Sequence, residues 1–297
     1  GSAFDDVFTG GTFNGVNTFR GGAGDDIIDG TLGLTRADYH DSDATQGVTV
    51  DLGTLDGGGN VIVVDGLGGT DTLTSVEWVV GTKFDDVLTG DTGDNRFRGA
   101  EGSDTIDGGA GIDTADYALD NASVTVDLGS DNQTVSVTVI DGSGSTDTLL
   151  HIEDVLGSRH DDVLTGDVND NVLIGDDGND IITGGGGVDV LIGGSGDDTL
   201  TGVIAADHHM GYGTGYNLAS YSSESSAITA TLSSTVTVTG ASAGTDTLVN
   251  INEIIGTSQA DQFTVDSSYL ATFVEGTNPF AGNVFRGGGG DDIITGN

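Results

Sequence analysis

Aspartate recurs in this chain with a period of nine. Between residues 81 and 116 four nonapeptides follow without a gap, GTKFDDVLT, GDTGDNRFR, GAEGSDTID and GGAGIDTAD. Between 157 and 201 there are five more, GSRHDDVLT, GDVNDNVLI, GDDGNDIIT, GGGGVDVLI and GGSGDDTLT. Each begins with Gly, carries Asp or Asn at its sixth place, and has a larger apolar residue at its eighth except where Ala115 stands. Related units begin at Gly1, Gly10, Gly21, Gly30, Gly256 and Gly287. Neighbouring carboxylates can serve acid–base catalysis or bind a cation. Catalysis calls for one unrepeated constellation, whereas Asp-Asp steps such as Asp25-Asp26 and Asp161-Asp162 return at one place in the register. The pattern therefore points to ligand oxygens and solvated turns, and no enzymatic activity is expected.

The elements that position these carboxylates can be read from the same nine residues. Six positions rich in Gly and Asp suit a tight turn, in which Gly supplies positive φ and lets backbone carbonyls come close to a ligand. The three that follow, such as Val87-Leu88-Thr89 or Ile181-Ile182-Thr183, suit a short strand. Its middle residue should face inward, stacking Leu88, Phe97, Ile106, Leu164, Leu173, Ile182, Leu191 and Leu200 in two facing columns. Turn, strand, turn and strand make a coil of eighteen residues. Asp86 then lies over Asp104, and Asp162, Asp180 and Asp198 form a column at roughly the 4.8 Å strand spacing. Carboxylates that close repel by about 1 kcal/mol or more per pair even in high dielectric. A hard divalent cation between them, taking six to eight carboxylate and carbonyl oxygens, removes the repulsion. The absence of Cys and the scarcity of His argue against softer metals.

The blocks sit inside a longer repeat. Its anchors are GSAFDDVFT at 1, GTKFDDVLT at 81, GSRHDDVLT at 157 and GTSQADQFT at 256. The lead-ins GTDTLTSVEWVV, STDTLLHIEDVL and GTDTLVNINEII precede the last three, after spacers with alternating apolar residues such as 48–52 and 124–128. The expected organisation is one continuous solenoid of supra-repeats at 1–80, 81–156, 157–255 with an insertion near 203–217, and a partial fourth at 256–297. Breaking off in mid-repeat, the chain reads as a monomeric fragment of something longer.

Composition narrows the function. The chain has 297 residues, 53 of them Gly and one Pro, and a formal net charge of −41. A field of that sign repels phosphate, which excludes unaided binding to nucleic acid or an anionic membrane. No apolar run is long enough to span a bilayer, and no Gly-X-Y period makes collagen. Only six acids are Glu (Glu77, Glu101, Glu153, Glu224, Glu253, Glu275) and 42 are Asp, a bias toward the shorter carboxylate that suits turn and ligand geometry. Low hydrophobicity with this charge resembles a disordered chain, so the fold is expected to wait for its cation.

The segment GGAGDDIID at 21–29 matches in full the Gly-Gly-x-Gly-x-Asp-x-apolar-x pattern. With its neighbours in register, it resembles the RTX, or haemolysin-type calcium-binding, family. The resemblance implies an all-β right-handed parallel β-roll, a β-helix-like solenoid with Ca2+ between stacked turns. It further implies type I secretion and folding outside the cell on meeting calcium. Carried over to this sequence, the sixth-place ligands are Asp6, Asp26, Asp86, Asp104, Asp113, Asp162, Asp180, Asp189, Asp198, Asp261 and Asp292. Turn carbonyls such as those of Gly99, Glu101 and Gly102, or Gly193, Ser195 and Gly196, complete the shells.

Several residues depart from the pattern. Asn17, Asn95, Asn171 and Asn283 hold the sixth place of second units, where they either give weaker ion sites or cap turns. Asp71, Asp147 and Asp246 in the lead-ins are either further ligands or turn residues. The adjacent His208 and His209 lie in the insertion without a zinc signature. Arg20, Arg98 and Arg286 recur at the last strand position of second units, either easing local charge or touching sugar. The expected role is a secreted calcium-dependent folding and spacer module. The alternatives are a carbohydrate-contacting module of a polysaccharide-active enzyme and an adhesin surface that binds a protein or glycan through the insertion.

Overall fold

The computed structural model describes residues 1–12, 15–41, 43–130, 136–202, 217–232, 236–265 and 284–295. Asn283 and nearly all of the insertion, including His208 and His209, lie outside them. Among the described residues the protein is all strand and turn, with no helix long and apolar enough to cross a membrane. The chain divides into two compact units, Gly1–Asp120 with Asn132–Asp154, and Asn121–Asp131 with Val155–Asn297.

In the first unit one sheet runs Val7–Thr9, Ile27–Asp29 and Thr70–Thr74, all parallel. Val61–Val64 and then Thr49–Asp51 follow, each antiparallel to the strand before it. Parallel pairing resumes with Val87–Thr89, Thr105–Asp107 and Thr146–Leu150, and Val137–Ile140 closes on the last in antiparallel fashion. A second, wholly parallel set joins Asn17–Phe19, Thr35–Asp38, Trp78–Val80, Arg96–Arg98 and Thr114–Asp116.

The second unit repeats the scheme. Parallel strands Thr125–Asp127, Val163–Thr165, Ile181–Thr183, Thr199–Thr201 and Gly244–Val249 come first. Antiparallel Val236–Gly240 and Ile228–Leu232 follow, then parallel Gln262–Val265 and Ile293–Thr295. Its other set, Val172–Asp177, Val190–Ser195, Leu218–Ser220, Glu253–Ile255 and Val284–Arg286, is parallel throughout.

Within the blocks the register steps by one eighteen-residue coil, Val87 to Thr105 and Val163 to Ile181 to Thr199. The parallel roll is thus the architecture of the blocks. The spacers add something the nonapeptide rule does not contain. The spacers at 49–74 and 228–249 are each a three-strand meander laid into the sheet in reverse sequence order, so the lead-in strand meets the finished block and the first spacer strand meets the next anchor. Reversal is made by tight loops. In residues 65–69, Asp65 Oδ1 accepts the N–H groups of Leu67 and Gly69 at 3.0 and 2.6 Å.

The inward columns hold the core. Leu88, Phe97, Leu164, Leu173, Ile182, Leu191 and Leu200 are 0% exposed, with Ile106 at 1%. A core one residue wide has no second layer to fill a gap. Replacing Leu173 with Ala should therefore cost about 2–5 kcal/mol, read from chemical denaturation in saturating calcium.

Candidate metal centre

Each sixth-place Asp folds back over its own turn, toward the first-place Gly. A Cβ built on Gly99, Gly175 or Gly193 would run into Oδ2 of Asp104, Asp180 or Asp198. Only Gly leaves room for that carboxylate. The fourth place needs Gly for a different reason. Gly102 has φ of 118°, and a Cβ there would lie 2.5 Å from the Phe84 carbonyl carbon one coil away.

The two carboxylate oxygens differ. Oδ1 accepts the backbone N–H of the sixth-place residue one coil earlier: Asp26 from Asp6 at 2.7 Å, Asp104 from Asp86 at 2.8 Å, and Asp113 from Asn95 at 2.7 Å. Asp180 accepts from Asp162 at 2.8 Å, Asp189 from Asn171 at 3.2 Å, Asp198 from Asp180 at 2.8 Å and Asp292 from Asp261 at 2.9 Å. At block ends the lead-in acids take over this role. Asp71, Asp147 and Asp246 accept from Asp26, Asp104 and Asp198 at 3.0, 2.9 and 3.0 Å, and Glu153 accepts from Asp113 at 2.7 Å.

Oδ2 separates the expected ligands into two sets. In Asp26, Asp104, Asp113, Asp180, Asp189 and Asp198 it is buried without a hydrogen-bond partner. In the anchors it is capped locally, by the N–H of Ser2 on Asp6 at 2.5 Å, of Thr82 on Asp86 at 2.6 Å, of Ser158 on Asp162 at 2.6 Å and of Thr257 on Asp261 at 2.6 Å. Hydroxyls of Thr82, Ser158 and Thr257 add bonds to Oδ1 of Asp86, Asp162 and Asp261 at 3.0, 2.8 and 3.0 Å. The Asn side chains of second units act similarly: Oδ1 of Asn17, Asn95 and Asn171 accepts the N–H of Gly11, Asp91 and Asp167 at 3.0, 2.8 and 2.9 Å.

Two further features have only faint sequence signals. Fifth-place side chains form a second ladder running the other way, Asp85 accepting from Ser103 at 2.8 Å, Asp161 from Asn179 at 2.7 Å, and Asn179 in turn from Asp197 at 2.8 Å. Each Asp-Asp step thus binds one coil ahead and one behind. The other feature is a buried tyrosine beside each lead-in acid, Tyr39, Tyr117 and Tyr221. Tyr117 donates to Asp147 Oδ2 at 3.2 Å. The recurrence Ala37-Asp38-Tyr39, Ala115-Asp116-Tyr117 and Ala219-Ser220-Tyr221 marks them in the sequence.

Burial dominates the electrostatics. Desolvation, aided by nearby Asp147 and Asp198 respectively, pushes the carboxyls of Asp104 and Asp180 up to about 8. Desolvation likewise raises Asp113 and Asp189 to about 7 and Asp198 to about 6. Among the described residues no three acidic or histidine side chains make a ready metal cage. A bound ion would need turn carbonyls as well, and these are at hand. A Cβ on Gly175 would meet the Gly193 carbonyl at 2.5 Å as well as Asp180 Oδ2, and one on Gly81 would meet the Gly99 carbonyl at 2.7 Å as well as Asp86 Oδ2. Of the other expected carbonyl donors, Ser195 accepts the N–H of Gly178 at 2.8 Å, the Gly196 carbonyl faces Gly244, and Glu101 is exposed at the turn tip. Buried orphan carboxylate oxygens beside carbonyls fit a hard, oxygen-seeking divalent cation.

Stacked parallel coils bearing these carboxylate columns define an all-β repeat protein. The family model for the RTX calcium-binding nonapeptide repeat (4 copies) matches residues 1–33, 80–115, 156–191, 165–200 and 281–297. The matched blocks are RTX calcium-binding nonapeptide repeats. Calcium is the ion the family implies, its repeats are structural, and they occur in proteins exported by type I secretion. No curated protein matches the chain.

Carboxyls raised in the fold give metal-free stability that is full below about pH 4, the unfolded Asp value, and lost as pH rises through the folded values of about 6 to 8. Metal-free protein should accordingly keep its β signal at pH 5 and lose it by pH 8.5. A cation at these carboxylates would compete with the same protons, so calcium affinity should fall on acidification. Circular dichroism across that range measures both.

Proposed function

We propose that the chain is a calcium-dependent folding and spacer module of an exported protein, with its ions held by Asp26, Asp104, Asp113, Asp180, Asp189 and Asp198. The observation that carries this is the column of buried, unpartnered Oδ2 atoms. Bound calcium supplies the positive charge that lets these carboxylates remain ionised where they are. The chain's own residues do the rest: first-place glycines open the space, Oδ1 ladders fix each carboxylate, and turn carbonyls such as those of Gly99 and Gly193 face the same space. On this reading Asp6, Asp86, Asp162 and Asp261 hold anchor turns, and Asn17, Asn95 and Asn171 cap theirs. In the low-calcium cell interior the charge keeps the chain open for export. Outside, each weak site at tenfold saturation adds about 1.4 kcal/mol, and six such sites give about 8 kcal/mol, within the stability range of an ordinary domain.

Far-UV circular dichroism at pH 7.5 should show a largely unfolded chain in chelator and a β-rich one in millimolar calcium; an unchanged β spectrum would overturn the reading. Asp180→Asn should lower both the number of ions bound in calorimetry and the calcium-induced stability. Asp86→Asn should lower stability while leaving the ion count as it is.

A second reading, an anionic glycan as ligand, is favoured by one surface. On the second sheet of the first unit Trp78 lies between two arginines in adjacent strands, Arg36 at 4.8 Å and Arg96 at 4.3 Å from its ring centroid. Arg20, whose side chain is 45% exposed, follows Asn17–Phe19 of the same set and pairs with Asp38. Two of the seven cationic side chains of a chain at −41 are thereby set against its single Trp. Guanidinium groups there can pair with sugar carboxylates or sulfates. A soluble polyuronate should change Trp78 fluorescence, and Arg36→Ala with Arg96→Ala should weaken the response at least tenfold. An equal response to a neutral glucan would remove the glycan reading.

A further inference from the structure

On the side of Val7–Thr9 and Ile27–Asp29, the last turn of the first nonapeptide block is residues 21–26, and no further nonapeptide covers it. Residues 65–71 lie over it instead, with Thr70 N–H donating to Asp25 at 2.8 Å and Asp26 N–H to Asp71 at 3.0 Å. Between them is a small cavity whose walls include Gly21, Gly22, Tyr39, Asp65 and Asp71. Asp65 is 2% exposed, and its Oδ2 is buried with no partner. The Tyr39 hydroxyl lies beside Asp71, yet it too is buried without a well-formed hydrogen bond, as is Asp26 Oδ2. Arg20 borders the cavity but does not neutralise it, because its guanidinium is committed to both oxygens of Asp38 at 3.0 and 2.9 Å.

The other supra-repeats show what the cavity lacks. In the second, Asp141 holds the place of Asp65, and Ser143 that of Leu67. Ser143 donates its hydroxyl to Asp141 Oδ2 at 2.7 Å, leaving that oxygen satisfied. Tyr117 there closes its bond to Asp147. In the third, Gly240 replaces the acid altogether. Only the first loop pairs a buried acid with a side chain, Leu67, that has nothing to donate.

We propose that this cavity binds a divalent cation of calcium's class at a site outside the nonapeptide array, made by Asp65, Asp71 and the Tyr39 hydroxyl over the turn of Asp26. Leu67 makes the ion necessary: the serine at the matching place in the next supra-repeat does the same work with a hydroxyl. Since no three carboxylates close on one point, the ion takes Asp65 Oδ2 and one further carboxylate directly. Backbone carbonyls and water fill the remaining positions of a six- to eight-oxygen shell.

The proposal rests on the reading that the chain binds calcium, and a calorimetric calcium titration of the full chain separates the two. Leu67→Ser should fold as the parent does and bind one ion fewer, and Asp65→Asn should also lose one ion. Asp180→Asn serves as the control for the nonapeptide array. With terbium as probe, Tyr39→Phe should lower emission excited through tyrosine. If Leu67→Ser and Asp65→Asn fold and bind as many ions as the parent, while Asp180→Asn loses one, the spacer site is wrong and the array stands. If the parent binds no calcium, both fall.

Discussion

Buried like charge is the constraint on which everything else in this molecule depends. Strand pairing sets successive coils about 4.8 Å apart, and a turn that places one Asp per coil stacks carboxylates at that spacing. Hydrogen bonding lowers the cost without removing it. The Oδ1 ladder takes one N–H per carboxylate, and the groups are still driven toward protonation, up to about 8 at Asp104 and Asp180. The remaining oxygen has no donor. A hard cation is the partner such an oxygen can take, and the proposed function rests on that.

The same constraint explains why the blocks are short and why meanders separate them. A run of identical coils would extend the column of charge without limit, each new coil adding an orphan oxygen. The lead-in acids end the run. Asp71, Asp147 and Asp246 accept the last N–H of the column, and in the second supra-repeat a tyrosine hydroxyl completes Asp147. The spacer strands behind them carry few acids and bury Val50, Val63, Val126 and Val139 instead. Within each unit, apolar layers thus neighbour charged ones.

Much of this was legible in the sequence because two periods act on different atoms. The apolar eighth place marked the inward column, and Leu88, Phe97, Leu164 and Leu173 occupy it. The Asp sixth place marked the charged column. Less legible was the distinction between anchors and later units, since both carry Asp at the sixth place. It lies in the second residue: Ser2, Thr82, Ser158 and Thr257 can donate a hydroxyl, whereas Gly22, Ala100 and Gly194 cannot and take positive φ instead, as Asp176 also does. The antiparallel spacer strands were hidden for another reason. Alternating apolar residues announce a strand but not its direction, which here is set by loops such as 65–69.

The preference for Asp over Glu follows from reach, and the few glutamates support the argument by where they fall. A sixth-place carboxylate must touch both the N–H one coil earlier and the space above its own first-place glycine. With Asp, Oδ1 meets the first at 2.7 to 3.2 Å while Oδ2 lies over the glycine. One more methylene would carry the group past both. Glu77 and Glu153 occur instead in lead-ins, where the acid serves a turn belonging to the preceding block. There the longer side chain spans the gap, accepting from Thr35 at 2.9 Å and from Asp113 at 2.7 Å. Where the lead-in strand itself pairs with the block, as at Asp71, Asp147 and Asp246, Asp suffices to accept from the earlier turn, so the longer side chain is confined to the second unit's side of the lead-in.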